Sequence, residues 1–408
     1  MRAVVFHAIG DIRLDNVAEP AIQEQTDAIV RLTASAICGT DLHLARGTMP
    51  GMESGTILGH EGVGVVEEIG RNVTGLQVGD RVVIPSTIAC GKCSYCQAGY
   101  HSQCDEANPN GKQAGTAFFG GPAMTGPFHG LQAEFARIPL ADAGLVKLPE
   151  NVSDDQAILL SDIFPTGYFA ADCAEIKPGD SVAVFGCGPV GLFCIASAML
   201  MRAGTVFAID TLPDRLAAAE RMGAEVIDFN RADPVETIRA QTQGIGALRV
   251  IDAVGVYAYA PDEGWLASWL PSAERSRHRE QVTDVAPRTS PHGGNWIPGN
   301  APSRVLDWAV EVIAKAGTLS IVGVYPQTAQ FFNIGAAMNK NITMQMGNCP
   351  HRKYLSHLVN MVHTGQIDPL AVIPARQEPL TDVLQAYKEF DKRKTGWIKV
   401  ELELPVRT

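Results

Sequence analysis

The sequence predicts an α/β chain in which a parallel, doubly wound sheet is joined to an antiparallel, β-rich unit of barrel-like character. Three observations carry that prediction. At 408 residues the chain is too long for one ordinary core, so two domains are expected. From Ser181 onward, apolar β runs alternate with helical patterns, as parallel strands joined by crossover helices require. Up to residue 155, short β runs are punctuated by Gly-Asp and Pro-Gly turns, which suits an antiparallel sheet with irregular loops.

The N-terminal stretch Met1-Arg2-Ala3-Val4-Val5-Phe6-His7 reads as a strand, without the long apolar region and cleavage site of a signal peptide. Further strands are expected at Ala28–Leu32, Gly62–Ile69, Arg81–Ile84 and Ala133–Ile138. After the turn Lys177-Pro178-Gly179-Asp180 come the strand Ser181–Phe185, a glycine-rich turn, a helix near Val190–Arg202 and the strand Thr205–Asp210. A helix over Leu212–Met222 and β runs at Ala224–Phe229 and Arg249–Ala253 continue the alternation. The polar stretch from Ala258 to Pro302 interrupts it as an inserted excursion. Helix Arg304–Ala316 and strand Thr318–Val324 resume it, followed by helices near Tyr354–Thr364 and Thr381–Lys392 and a final strand, Trp397–Leu402.

Composition narrows the function classes. A net charge of −11 opposes a nucleic-acid surface, which needs a basic face. No uncharged apolar run reaches the roughly 18 residues of a membrane span. Nine cysteines is an odd count without a secretory signal, so thiols kept reduced in the cytoplasm for metal binding are expected rather than a disulfide framework.

Cys90, Cys93, Cys96 and Cys104 supply four soft thiolates within fifteen residues, with Gly91 and Gly99 relieving the tight turns. Such spacing wraps one Zn²⁺ with no open position, a structural site; redox-active or iron–sulfur cysteines are the competing reading. Cys38 and His60 form a mixed sulfur–nitrogen pair of the type that catalytic zinc uses, with one position left for substrate. Taken singly they are a buried small residue and a loop histidine. Asp41 can accept the second ring N–H of His60, Thr40 offers a hydroxyl, and His43 can pass a proton to solvent. Glu61 reads either as a carboxylate supporting the metal, or binding it transiently in exchange with water, or as a buried polar residue paired with an arginine.

The run Cys38-Gly39-Thr40-Asp41-Leu42-His43, the triplet Gly59-His60-Glu61 and the four cysteines resemble the zinc-dependent alcohol dehydrogenases of the medium-chain dehydrogenase/reductase family, over the whole chain. The resemblance implies a GroES-like catalytic domain at 1–162 and 344–408. It implies a Rossmann NAD-binding domain at 163–343, with an insertion at about 256–303. It puts the third catalytic-zinc ligand at Asp162, where many relatives carry cysteine; a helix-capping carboxylate before Pro165 is the alternative. Two Zn²⁺ per subunit follow, one catalytic (Cys38, His60, Asp162) and one structural.

The turn Gly186-Cys187-Gly188-Pro189-Val190-Gly191 lies between a strand and a helix, with Asp210 ending the next strand nineteen residues after Gly191. In that setting it is a dinucleotide fingerprint: Gly188 admits the pyrophosphate and Asp210 accepts from the ribose hydroxyls, favouring NAD over NADP. By resemblance Arg215 stands on the ribose side and Lys399 contacts the pyrophosphate, although Arg215 equally reads as an exposed helical residue. Gly39 occupies a position where relatives often have a phosphate-binding arginine. The strand ends Asp252-Ala253-Val254-Gly255 and Val322-Gly323-Val324 are expected to line the nicotinamide through their backbone.

Together these imply a hydride exchanged between a small-molecule alcohol, or a hydrated aldehyde, and NAD, with the proton leaving through Thr40, the cofactor ribose and His43. Asp162 within Leu160-Ser161-Asp162-Ile163-Phe164-Pro165-Thr166-Gly167, the loop Phe118-Phe119-Gly120-Gly121-Pro122 and the excursion after Gly255 further resemble glutathione-independent formaldehyde dehydrogenase and aldehyde dismutase. In those relatives an insertion holds NAD(H) between turnovers. Ser86, where many relatives place a bulky aromatic, points to larger alcohols, with Phe118, Phe119, Met124 and Phe128 as candidate walls. Zinc-free quinone reductases of the same superfamily lack both metal sets, and a non-enzymatic scaffold would show their decay. Family members are homodimers or homotetramers.

Overall fold

The computed structural model describes residues 1–261, 272–286 and 299–404, and the chain divides into two compact units. The first takes Met1–Pro165 and returns at Asn348; the second runs from Thr166 to Gly347. The expected insertion at about 256–303 lies partly outside the described residues. Its described parts are a short turn at Gly255–Tyr257 and the helix Ser272–Val285.

In the first unit, β1 (Arg2–Ala8) and β2 (Asp11–Asn16) form an antiparallel hairpin. The larger sheet is built on β3 (Ala28–Ile37), β4 (Gly62–Ile69), β5 (Arg81–Ile84), β6 (Phe135–Ile138) and β7 (Val146–Lys147), all paired antiparallel. Gly64 is required there by close approach, because a Cβ would stand 2.2 Å from the Arg31 carbonyl oxygen on β3.

The second unit carries a six-stranded, wholly parallel sheet. Its strands are β8 (Ser181–Phe185), β9 (Thr205–Asp210), β10 (Glu225–Asp228), β11 (Ala247–Asp252), β12 (Ile313–Ile321) and β13 (Thr343–Met346). Their order is β10-β9-β8-β11-β12-β13. The neighbours β8 and β11 run to opposite halves of the sheet, and this reversal is where such folds bind ligands, at the carboxyl ends of the strands. Val182–Phe185 is buried on both faces, as a central parallel strand must be. Phe185 stacks on Trp308 at 6.1 Å within the core.

The chain then returns to the first unit through the helix His351–His363, β14 (Arg376–Pro379) and β15 (Val400–Glu403); β15 pairs antiparallel with β3.

Two expectations shift. The helix expected over Arg304–Ala316 ends at Val312, and Ile313 already pairs with Ala247 as the start of β12. The apolar run continues across that point, but pairing with β11 captures it, and Ala316 stands at φ +57 where the register jumps. Cys38-Gly39-Thr40-Asp41-Leu42-His43, read only as a motif, opens a helix at Gly39–Arg46. Asp41 stabilises its first turn by accepting the Cys38 N–H at 2.9 Å.

Candidate functional site

Cys38 ends β3 and His60 immediately precedes β4, so the antiparallel pairing of these strands brings the two side chains together. Asp162 follows the helix Asp154–Ser161, which Ser153 caps by accepting the Gln156 N–H. That helix is tied to the sheet through Ser161, whose hydroxyl oxygen accepts the Gly62 N–H at 3.0 Å and whose hydroxyl donates to the Ile84 carbonyl. The result is convergence: Oδ2 of Asp162 lies 3.5 Å from Cys38 Sγ and 3.5 Å from His60 Nε2. With Glu61, these residues offer four ligand atoms within 4.8 Å of one another, all on buried side chains.

The other face of His60 meets Asp41, whose Oδ1 lies 3.4 Å from Nδ1, leaving Nε2 on the side of Cys38 and Asp162. Asp41 is itself held by the Cys38 N–H and by Gln132, and Gln132 accepts from the hydroxyl of Tyr387. This is the orienting carboxylate that a metal-bound imidazole uses.

The electrostatics test whether the residues suit a cation. Burial pushes the Cys38 thiol up, and the Glu61 and Asp162 carboxylates push it further. Burial likewise lifts Glu61 to about 7 against the pull of Lys399, and its Oε1 has no hydrogen-bond partner among the described residues. Burial opposes the imidazolium of His60, yet Asp41 and Asp162 hold its pKa well above the ordinary value. The cluster is therefore rich in negative charge in a dry setting. A sulfur, a ring nitrogen and a carboxylate oxygen are a donor set that Zn²⁺ accepts, so the residues fit a divalent cation.

Several expected residues are placed differently. Lys399, expected at a pyrophosphate, is wholly buried in the first unit, where its ammonium pairs with Glu61 and donates to the Ile37 carbonyl at 3.2 Å. It immediately precedes β15, whose pairing with β3 starts at Val400 opposite Ile37 and so brings it inward. Glu61 thus has a buried cationic partner, a lysine rather than an arginine. His43, expected to face solvent, is 4% exposed, because its helix packs this face inward; burial and then Arg46 lower its pKa to about 3. Thr40 is half-buried and stands three residues before His43 on the same helix, so the two share a face. Ser86 is buried and donates to the His60 carbonyl at 3.2 Å, which puts its hydroxyl behind the histidine. Phe119 is buried and Met124 half exposed, so the aromatic loop is partly packing. At Gly39 a Cβ would meet nothing within 4 Å, so no local crowding demands glycine.

One residue escaped the sequence reading. His351 Nε2 lies 2.7 Å from Asp162 Oδ1, and its Nδ1 lies 3.1 Å from Thr87 Oγ1. It stands 189 residues beyond Asp162, and no spacing pattern links them.

The four cysteines gather around the short helix Ser94–Gln97, with Gly91 at φ +73 and Gly99 at φ +88 making the turns. Their sulfurs lie within 4.8 Å of one another and form no disulfide. Cys93 Sγ and Cys104 Sγ are 3.8 Å apart. A tetrahedron with Zn–S near 2.3 Å has an edge of about 3.8 Å, so the spacing suits the ion. Backbone N–H groups of Cys90, Lys92 and Cys93 donate to the sulfurs at 3.3–3.4 Å, which favours thiolates.

In the second unit the glycine turn joins β8 to the helix Pro189–Leu200. Gly186 adopts φ +88, and a Cβ on Gly191 would stand 1.8 Å from the Gly186 carbonyl oxygen, so glycine is needed at both. Gly188 caps the helix and has only the Arg215 guanidinium, at 3.6 Å, near its Cβ position, which leaves the backbone approachable. Val190 lies in the helix's first turn. Asp210 ends β9 and accepts from the N–H groups of Cys187, Thr211 and Leu212; Arg215 Nη1 is 3.9 Å away. Asp252, fully buried, accepts from the N–H groups of Val254 and Gly255 and from the Tyr325 hydroxyl. The Val256 N–H donates to the Val324 carbonyl at 3.0 Å, so the two strand-end loops are tied together.

Known proteins resemble this chain along almost its whole length. Residues 24–150 match the alcohol dehydrogenase GroES-like domain and residues 189–261 the zinc-binding dehydrogenase domain. The zinc-type alcohol dehydrogenase-like protein AdhB of Bacillus subtilis is 36% identical over 406 residues, covering 99% of this chain and 100% of that protein. Glutathione-independent formaldehyde dehydrogenase of Pseudomonas aeruginosa is 31% identical, over 96% of this chain and 94% of its own. Among solved structures, alcohol dehydrogenase TADH from Thermus sp. ATN1 superposes with a TM-score of 0.80 at 31% identity, covering 99% and 100% of the two chains.

Proposed function

The chain belongs to the zinc-dependent alcohol dehydrogenases of the medium-chain dehydrogenase/reductase family, with zinc and NAD as cofactors, and from this we propose a role for each site residue. It is an oxidoreductase that moves a hydride between an alcohol and NAD. In our reading Cys38, His60 and Asp162 hold the catalytic zinc, and Cys90, Cys93, Cys96 and Cys104 the structural one. The first unit, Met1–Pro165 and again from Asn348, carries the chemistry, and the second, which keeps β13 through Met346 rather than ending at 343, carries the nucleotide.

When bound, zinc supplies Lewis acidity that eases loss of the alcohol proton, and NAD⁺ supplies the hydride acceptor. The chain's residues do the positioning. Asp41 orients the His60 ring so that Nε2 faces the metal. Glu61, neutralised by Lys399, sets the charge behind the site. The Thr40 hydroxyl is placed to accept the substrate's proton as it gives up its own, with His43, buried and uncharged on the same helix face, as the next group of the relay. Gly186, Gly188, Val190 and Gly191 present the helix N-terminus to the pyrophosphate, Asp210 and Arg215 hold the adenosine ribose, and Val254 and Val324 offer backbone to the nicotinamide.

The observation that carries this reading is the convergence of Asp162 Oδ2 on both Cys38 Sγ and His60 Nε2 at 3.5 Å. The test is an anaerobic assay of purified protein with panels of primary and secondary alcohols and of aldehydes. NADH accumulating from alcohol and added NAD is expected. Paired alcohol and acid formed from aldehyde alone, with cofactor retained on purification, would instead indicate a dismutase. Full alcohol oxidation by a Cys38→Ser variant would overturn the ligand assignment.

The same reading has the protein working in the cytoplasm as a homodimer or homotetramer. All nine cysteines are unbridged, as a reducing compartment requires. Met344 and Met346 are exposed on β13, at the sheet's edge, and Ile334 and Met338 of the preceding helix are exposed as well, apolar surface that a second copy would cover. No described helix is long and apolar enough to cross a membrane.

A further inference from the structure

We propose that His351 is the positioning residue of the metal site, holding one oxygen of Asp162 so that only the other faces Cys38 and His60. The inference rests on Asp162 being a metal ligand. A carboxylate in that position poses a problem that a thiolate does not: it has two equivalent oxygens and can swing or bind through both.

Here the two oxygens have separate partners. Oδ2 lies 3.5 Å from Cys38 Sγ and from His60 Nε2, whereas Oδ1 lies 2.7 Å from His351 Nε2. A carboxylate that binds a metal does so ionised and then only accepts, so His351 Nε2 is the donor.

The donor is itself fixed. His351 opens the helix His351–His363 directly after Pro350 and is 3% exposed, so its ring cannot turn to water without unpacking. Its Nδ1 lies 3.1 Å from Thr87 Oγ1, which also reaches the Cys349 carbonyl oxygen at 3.4 Å. Thr87 follows β5 and is bridged to Phe118. The line from Thr87 through His351 to Asp162 Oδ1 therefore leaves Oδ2 as the single oxygen directed at the ligand set. Partners behind metal ligands of this type are commonly worth about 10–100-fold in metal affinity.

The test uses the full chain stripped of metal and reconstituted with Co²⁺. Metal per chain, the visible Co²⁺ bands and the rate of metal release to a chelator are measured, and the four-cysteine metal serves as an internal check of folding. Wild-type protein is expected to take two ions per chain. His351→Leu is expected to keep the four-cysteine ion and release the other about 10–100-fold faster with shifted bands, while His351→Gln, which restores a donor, stays within about threefold of wild type. Equal release and unchanged bands in His351→Leu would overturn the proposal, as would His351→Gln behaving like His351→Leu. Uptake of one ion by wild type, at the thiolates alone, would instead remove the ligand reading on which the proposal rests.

Discussion

Replacing Lys399 with methionine removes the ammonium that pairs with a carboxylate the fold has taken out of water. Lys399 is 0% exposed and Glu61 is 0% exposed, and they pair beside the Cys38–His60 cluster. Methionine keeps most of the stem's packing, so the change isolates the charge. Breaking a buried pair by removing one partner costs about 3–5 kcal/mol, and the Ile37 carbonyl also loses its donor, worth about 1 kcal/mol. Glu61 limits the loss by taking up a proton, since its pKa already stands at about 7 with Lys399 in place. The low end of the range, about 3 kcal/mol, is therefore expected in protein stripped of metal at neutral pH, or roughly 100-fold in the opening equilibrium of this unit. Hydrogen exchange of the β3 and β15 amides reads that opening locally, because Ile37 pairs with Val400 in the sheet. Glu61→Gln added to Lys399→Met should recover at least about half of the loss, since the pair then leaves no unpartnered charge buried. Protection unchanged in the single variant, or no recovery in the double, would refute the reasoning.

Three further outcomes follow from the geometry. Cys104→Ala should lower bound zinc from two ions per chain to one and hasten thermal inactivation, while initial alcohol oxidation survives, because the thiolate set is closed and separate from Cys38; elemental analysis and heat-challenge assays measure this. Asp210→Ser should raise the NAD KM about 10-fold or more and narrow the preference over NADP, since a carboxylate that accepts from ribose hydroxyls and repels a phosphate is gone; KM for both cofactors decides it. Glu401 on β15 is 2% exposed, its Oε2 has no hydrogen-bond partner among the described residues, and burial first, then Asp155, Glu403 and Asp154, lift its pKa to about 8 against the opposing Lys399. The folded chain thus keeps a proton that the unfolded chain releases between the ordinary 4.5 and about 8, so stability falls as pH rises through that window and levels off above it. Glu401→Gln should flatten that slope and be more stable than wild type at pH about 8, as denaturant midpoints across pH would report.

The sequence by itself determined what depends on neighbours along the chain. Gly62–Ile69, Arg81–Ile84, Ser181–Phe185 and Thr205–Asp210 were legible as strands because alternation and apolar runs are local. The four cysteines and the turn at Gly186–Gly191 were legible for the same reason: tetrahedral thiolate binding and close backbone approach both need short, fixed spacings. The resemblance carried Asp162 into the ligand set, but nothing in its own surroundings distinguishes it from a cap. Only the tertiary structure brought its Oδ2 to Cys38, 124 residues away, and its Oδ1 to His351. Only the tertiary structure turned Lys399 inward to Glu61, across 338 residues, and buried His43 on the packed face of its helix. Spacing along a chain encodes what a turn or a helix can reach, whereas these contacts exist because separate strands and helices must share one dry interior, where a buried charge requires a partner wherever in the sequence that partner lies.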